Sequence, residues 1–422
     1  MMKSFVLPRR STVIIWVIVT LVFFLTRCIN RDKGKPSVSD KDKFSQFAGS
    51  AKCAGCHKDI YASHIHTPHY LTSRPASEEY IKGSFAPGEN RYAYNASLFA
   101  DMEKRDSGLF QVIYYQGAQK AILPFNIVVG SGAKGQTYIY WRKNWPLQLP
   151  ISYFTAAHKW ANSPGYPNKV VINRIITSRC LECHTTYAEM ISSPGKEPEE
   201  FNRDRILFGV DCEKCHGPAA SHVEFHLQNP NEKKGRYILN PASFSRQQSL
   251  DLCALCHGGQ LTKTKPSFSF TAGDALTDYF KMDTAKAAHL SSDNIDVHGN
   301  QYGLLRDSKC FIMSDTMTCI TCHNTHENER GKIELFSQRC MTCHNKEHGT
   351  FCKIKPGMVS SLEKNCIDCH MPKQGSRAIV LQLSGHEAPI AAMIRSHFIS
   401  IYPGEVKKYM DALDKDKTKK IN

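Results

Sequence analysis

Residues 53–69 read CAGCHKDIYASHIHTPH, with two cysteines and the four histidines His57, His64, His66 and His69. The stretch suits a tetrahedral zinc site, a dithiol redox centre or a thioether-bound haem. The rest of the chain separates the three. CxxCH recurs, with thiols at Cys53 and Cys56, Cys180 and Cys183, Cys212 and Cys215, Cys253 and Cys256, Cys319 and Cys322, Cys340 and Cys343, and Cys366 and Cys369. These seven copies use 14 of the 17 cysteines, and each is followed at once by histidine: His57, His184, His216, His257, His323, His344 and His370. Only 19 of 422 residues are histidine, so chance would produce this with a probability of roughly 10⁻⁹, and the pattern is the one for covalent haem attachment. Zinc has no need of a histidine directly after every CxxC, and a thioredoxin-like centre uses one CxxC near a βαβ unit. Two thiols add to the two vinyl groups of a porphyrin, and the following imidazole then lies under the iron as proximal ligand. Seven motifs imply seven c-type haems.

That count fits the length. One macrocycle per about 60 residues leaves little room for a side-chain core, so the haems themselves supply most of it. The formal charge of +15 is matched by up to about 14 propionate charges on seven haems. No basic run is interleaved with stacking aromatics, which excludes nucleic acid as a partner class.

At the N-terminus MMKSFVLPRR is basic and STVIIWVIVTLVFFL is apolar. The run has the form of an export signal and is short of the ~20 residues a spanning helix prefers. Residues 1–28 are therefore expected to be a signal anchor, or a lipoprotein signal ending at Cys28, where LTRC departs from a lipobox at Arg27. Haem attachment of this kind takes place outside the cytoplasmic membrane, which sets the chain on the periplasmic side of a bacterial envelope, held to the membrane. Residues 29–48 are polar and charged and form a tether. The first haem segment follows at 49–84, and a charged tail at 404–422.

The step from His57 to His184 is 127 residues, after which the motifs follow at steps of 32, 41, 66, 21 and 26. The long gap contains GLFQVIYYQ, FNIVVGSG, GQTYIYWRK and LQLPISYF, runs of β-branched and aromatic residues bounded by Gly, Pro and Asn. They predict a small antiparallel β subdomain over 85–167, inserted after the first haem, with Trp141, Trp145 and Trp160 as packing residues. The remaining haem region, 168–403, is expected to be short helices ending in the motifs, with long irregular connectors. The predicted fold class is thus mainly α with long loops, stapled by covalent haems. Cys310 and Cys352, outside any motif, are expected to pair in an oxidising compartment, closing a loop for which chain entropy gives about 4 kcal/mol.

QLPISYFTAAHKWANSPGY at 148–166, CLECH, GVDCEKCHGPAASH at 209–222, TCITCHNTH at 318–326 and NCIDCHMP at 365–372 together resemble a family of exported multihaem cytochromes. That family is related to the tetrahaem carriers of nitrifying bacteria and, more remotely, to hydroxylamine oxidoreductase and the pentahaem nitrite reductases. The resemblance runs from about residue 50 to 403. It implies a helical, loop-rich fold with haems stacked in close pairs, and it covers both carriers and enzymes.

The sixth ligand of each iron decides between those two roles. An iron with two axial histidines only exchanges electrons, whereas catalysis on a small nitrogen compound such as nitrite or hydroxylamine needs an open position. Twelve histidines remain after the proximal seven. His69, twelve residues after His57, has the offset at which relatives carry a ligand, and His222 and His326 fit the family's CxxCHGPxxxH and CxxCHxxH patterns. His298, His348, His386 and His397 complete the distal set. His64 and His66 are expected to be solvated or hydrogen-bonded, and His158, His226 and His289 non-ligands. No CxxCK variant marks a catalytic haem. The expected function is a low-potential bis-histidine electron carrier between a quinol-oxidising donor and a downstream cytochrome or reductase, with a nitrogen-compound oxidoreductase as the alternative.

Overall fold

The computed structural model of the chain describes residues 42–193, 195–282, 299–345, 347, 349–352, 363–385 and 389–419. The anchor at 1–28, the tether up to residue 41, and His289, His298, His348 and His386 lie outside them. Residues up to Ser45 are a unit of their own, in which the Ser45 N–H and hydroxyl donate to Asp42. The second unit begins at Gln46 and holds everything below.

The first motif joins α1 (Ser50–Ala54) to α2 (Lys58–His64). Ten strands follow: β1 (Ser73–Pro75), β2 (Arg91–Ala93), β3 (Leu98–Arg105), β4 (Gly108–Tyr115), β5 (Ala118–Pro124), β6 (Ile127–Val129), β7 (Gly135–Arg142), β8 (Trp145–Gln148), β9 (Ile151–Phe154) and β10 (Lys159–Asn162). They form two antiparallel sheets, β2-β3-β4-β5 and β1-β6-β7-β9-β10, with β8 on β7. Both sheets feed one core, with Tyr92, Ala100, Met102 and Ile113 from the first and Tyr138, Leu147, Ile151 and Trp160 from the second. Each of these side chains removes apolar area from water at about 25 cal/mol per Å². Gln111 of β4 stitches the sheets, since its amide donates to Ile151 O at 2.6 Å and accepts from Ile151 N–H at 3.1 Å.

Trp160 is the hub of that core. Its ring packs against Phe85, Phe125, Tyr138 and Tyr153, and its Nε1–H donates to Ser84 O at 2.8 Å. Gly83 lets the backbone approach the ring, because a Cβ there would overlap it. Trp141 and Trp145 are half-buried instead, Trp141 under the Arg203 guanidinium and Trp145 donating to Glu200 at 3.3 Å.

The haem region carries α3 (Ser178–His184), β11 (Thr185–Met190), β12 (Phe201–Phe208), α4 (Cys212–His216), α5 (Ala220–Gln228), α6 (Arg246–His257), β13 (Leu261–Lys263), β14 (Phe280–Met282), α7 (Gln301–Arg306), α8 (Lys309–Ile312), α9 (Ile333–Met341), α10 (Ile367–His370), β15 (Lys373–Leu381), β16 (Ile390–Arg395) and α11 (Pro403–Lys419). The expected mainly-α class is therefore wrong: helix and strand hold roughly 28% and 26% of the described residues. Three hairpins, β11–β12, β13–β14 and β15–β16, stand where helices and irregular connectors were expected. β11 escaped detection because Thr185, Thr186, Tyr187 and Ala188 are all buried, so it lacks the alternation that marks a half-solvated strand. The β unit also begins earlier than residue 85, at Ser73, because β1 pairs with β6.

Candidate haem-binding site

Each described motif is wound as one helical turn, which sets its two thiols on one face with the histidine next to them. The N–H of His57 donates to Cys53 O at 2.9 Å, and His323, His344 and His370 repeat the bond to Cys319, Cys340 and Cys366 at 3.0, 3.0 and 3.1 Å. Local capping sets these turns. Asp211 caps α4 through Cys212 N–H at 2.8 Å, and Ser245 and Gln248 form a reciprocal capping box on α6.

Acids in or beside the motifs tie them to distant chain. Buried Glu213 of CEKCH accepts the N–H groups of Ala48, Gly49 and Ala219, each at 2.8 Å, which clasps the first haem segment against α4. Glu182 of CLECH accepts Phe268 N–H at 2.8 Å and pairs with Arg179 at 3.1 Å. Asp251 of α6 accepts Leu276 N–H at 3.1 Å, and Asp368 of CIDCH pairs with Arg395 at 2.8 Å. Sequence reasoning passed over these acids, although acidic residues inside CxxCH were a visible signal.

The proximal imidazoles are oriented through Nδ1. That nitrogen meets Thr72 Oγ1 at 3.0 Å in His184, Leu239 O at 3.0 Å in His216, Gln301 Oε1 at 3.3 Å in His257, Thr350 O at 3.4 Å in His344 and Ser400 O at 2.9 Å in His370. An Nδ1–H committed to an oxygen leaves Nε2 as a lone-pair donor, the tautomer a metal takes. His222 has the same arrangement toward Arg236 O at 2.7 Å, and His397 toward Arg395 O at 3.4 Å.

Three pairs of rings bring distant sequence together. His69 stands 6.2 Å from His257, His326 6.2 Å from His216 and His397 6.3 Å from His323, centroid to centroid. Two imidazoles on opposite sides of one metal, each at the ~2 Å metal–nitrogen distance, hold their ring centres about 6 Å apart. Each of these three pairs joins a motif histidine to a spare one, while His326 also stands 6.2 Å from His64, another spare histidine. His326 thus faces the third motif rather than its own, and His69 the fourth rather than the first. Burial, aided by neighbouring imidazoles, pushes the His69 and His397 pKa values down to about 4 and lowers those of His257, His323 and His326. All five are held neutral, the form that ligates iron.

Other histidines fall differently. His222 packs 4.6 Å from His226. His66 is exposed, as is His158 in the β9–β10 turn. His64 is buried with its Nε2 3.4 Å from Asp211, yet neither ring nitrogen makes an aligned hydrogen bond. Cys310 and Cys352 are free thiols, which corrects the expected disulfide; Cys310 lies by Cys322 and Cys343, and Cys352 by Cys369.

Thiols of different motifs face one another: Cys53 with Cys212, Cys183 with Cys256, Cys253 with Cys319 and Cys340 with Cys366. Cys215 also neighbours Cys253, and Cys322 neighbours Cys343. The motifs therefore adjoin in an order unlike their sequence order, with the Cys253–His257 motif beside three others. Among the described residues no group of three or more His, Cys, Asp or Glu side chains converges as a metal site. Paired imidazoles beside thiol pairs are instead the donor set of a porphyrin iron, which brings four nitrogens of its own. The exposed apolar side chains Ile312, Met313 and Ile320 beside the fifth motif fit cover by a macrocycle.

The turns, thiol pairs and paired imidazoles are the donor set that covalently attached c-type haem requires, and the comparisons with known proteins point the same way. Residues 154–217, from β9 through α4, match the family described as cytochrome c554 and c-prime. A solved structure titled outer cell wall cytochrome OcwA shares the fold, with a TM-score of 0.52 over 86% of this chain and 81% of that chain at 16% identity. No curated protein matches the chain in sequence. Among the described residues no helix is long and apolar enough to cross a membrane.

Proposed function

We propose that the chain is a seven-haem electron carrier of the cell envelope whose irons are saturated by histidine pairs. The observation that carries this reading is the set of three imidazole pairs at 6.2–6.3 Å, each uniting a motif histidine with a spare one from remote sequence. His216 and His326, His257 and His69, and His323 and His397 are then the axial ligands of three haems. His222 is a fourth distal ligand, its Nδ1 engaged by Arg236 O, and the remaining distal ligands come from His298, His348 and His386. His57, His184, His344 and His370 are proximal at the other four haems.

Haem supplies an iron that cycles between ferric and ferrous without losing a ligand. The chain's own residues do the rest. Nδ1 acceptors hold the imidazoles against rotation, and the buried acids Glu182, Glu213 and Asp251 hold the motifs in place, so little reorganises when an electron arrives. The facing thiols support a branched path in which the Cys253–His257 haem is the junction: one arm through Cys212–His216 to Cys53–His57, one to Cys180–His184, and one through Cys319–His323 and Cys340–His344 to Cys366–His370. Residues 1–28 hold the carrier to the membrane on its outer side, through a signal anchor or a lipid on Cys28. A quinol-oxidising donor and a downstream cytochrome or reductase are its partners.

Intact mass with haem staining of the denatured protein, followed by film voltammetry, tests this. Seven haems and reversible low-potential waves unchanged by nitrite or hydroxylamine are expected. Four or five haems, or a catalytic current with either compound, would sink the proposal.

A further inference from the structure

Arg74 lies on β1, beside two haem motifs. Its neighbours Thr72 and Ser73 bond His184, Thr72 Oγ1 at Nδ1 and the Ser73 hydroxyl donating to the carbonyl oxygen at 2.6 Å. Ser73 Oγ also accepts Gly209 N–H at 2.9 Å, and Val210 N–H donates to His69 O at 2.9 Å, so the loop that enters α4 is laced to the same segment. The guanidinium lies flat on the Tyr70 ring, 3.3 Å from its centroid. Gly209, at φ 75°, lets the loop approach this segment closely, since a Cβ there would overlap Tyr70 O and come within 3.4 Å of Arg74 Nη2.

Nε and Nη2 of Arg74 are shut off from solvent and have no hydrogen-bond partner, and among the described residues no carboxylate pairs with it. Arg74 as a whole is half-buried, but its shielded Nε and Nη2 donors have only the Tyr70 ring beside them, and a shielded charged donor left without an acceptor is unfavourable. Among the described residues nothing meets these donors, and the partner that best fits a guanidinium edge is a planar anion able to take two parallel N–H bonds. A c-type haem brings two such carboxylates, and two haem motifs border this strand.

We propose that Arg74 is the counter-ion of a haem propionate and raises the reduction potential of that haem. This rests on the haem reading above but not on the ligand assignments. A fixed positive charge favours the ferrous state, which is one unit less positive than the ferric. Removing it both withdraws that charge and bares the propionate, and the two effects have the same sign.

The test is spectroelectrochemical titration of the membrane-held holoprotein with Arg74→Gln and Arg74→Lys. With haem content unchanged, R74Q is expected to shift the reduced-to-oxidised ratio of one haem at least tenfold toward oxidised, a fall of about 59 mV for one electron, while R74K retains most of the original value. An R74Q titration superposable on the parent's overturns the proposal, as does a shift that R74K reproduces in full. Should R74Q fail to assemble, a structure of the parent holoprotein decides: a carboxylate oxygen within hydrogen-bond distance of Nε or Nη2 supports the pairing, and a water or protein acceptor there overturns it. A wrong haem count would show itself separately, in the mass of the parent.

Discussion

The β unit at 73–162 and the haem region after it solve the same problem by different means. The β unit buries Tyr92, Met102, Tyr138, Leu147, Ile151 and Trp160 in one continuous core and contains no haem motif. The haem region has a smaller cluster of Ala254, Leu255, Leu261, Leu276 and Phe280 among its described residues, and it leaves Ile312, Met313 and Ile320 exposed. One region is held by side chains, the other by clasps of polar groups around haem. Covalent cofactors can thus replace a side-chain core, provided that buried acids and imidazole partners hold the motifs in register.

The largest effect should come from withholding haem. Chain made without haem attachment should keep the β unit folded while residues 163–403 lose protection, which hydrogen exchange would read as slow amides in β3, β4 and β7 and fast amides in α6 and α9. Equal protection of both regions would erase the distinction. Trp160→Ala attacks the other side. It should cost about 3–5 kcal/mol in unfolding of the β unit and leave haem absorbance unchanged, so loss of haem would mean that the two regions share a core.

Glu213→Ala tests the clasps. Three buried N–H groups, from Ala48, Gly49 and Ala219, lose their acceptor, at about 3 kcal/mol. Residues 46–57 should become sensitive to protease while the six later haems stay. The smallest effect is expected for Gln111→Leu, which leaves the Ile151 N–H and C=O unpaired between the sheets, at about 1–3 kcal/mol. A neutral result there would show that water replaces the amide and that the sheets are held by apolar burial alone.

Cofactor chemistry was the most legible part of the sequence, because thioether attachment demands a fixed spacing that chance does not repeat. Strands β4 and β7 were legible from their dense β-branched and aromatic residues between Gly, Pro and Asn boundaries. β11 was not, being buried on both faces, and the mainly-α expectation failed on it and on the two other hairpins. His69, His326 and His397 could be named from the sequence but not assigned, since which motif each faces is set by tertiary contacts such as Val210 N–H to His69 O and Ser308 Oγ to His397 O. The disulfide expected between Cys310 and Cys352 is not formed: Cys310 lies by Cys322 and Cys343, and Cys352 by Cys369. Compartment chemistry makes such a bond favourable, but only proximity makes it form.

Saturation of the irons is the central claim, and electron paramagnetic resonance of the oxidised holoprotein, joined to carbon monoxide binding by the reduced form, tests it most directly. The account predicts low-spin signals throughout and no gas binding in the parent, with one new high-spin, gas-binding haem in each of His69→Ala, His326→Ala and His397→Ala. A stoichiometric high-spin haem that binds the gas in the parent, together with turnover of nitrite or hydroxylamine, would contradict it.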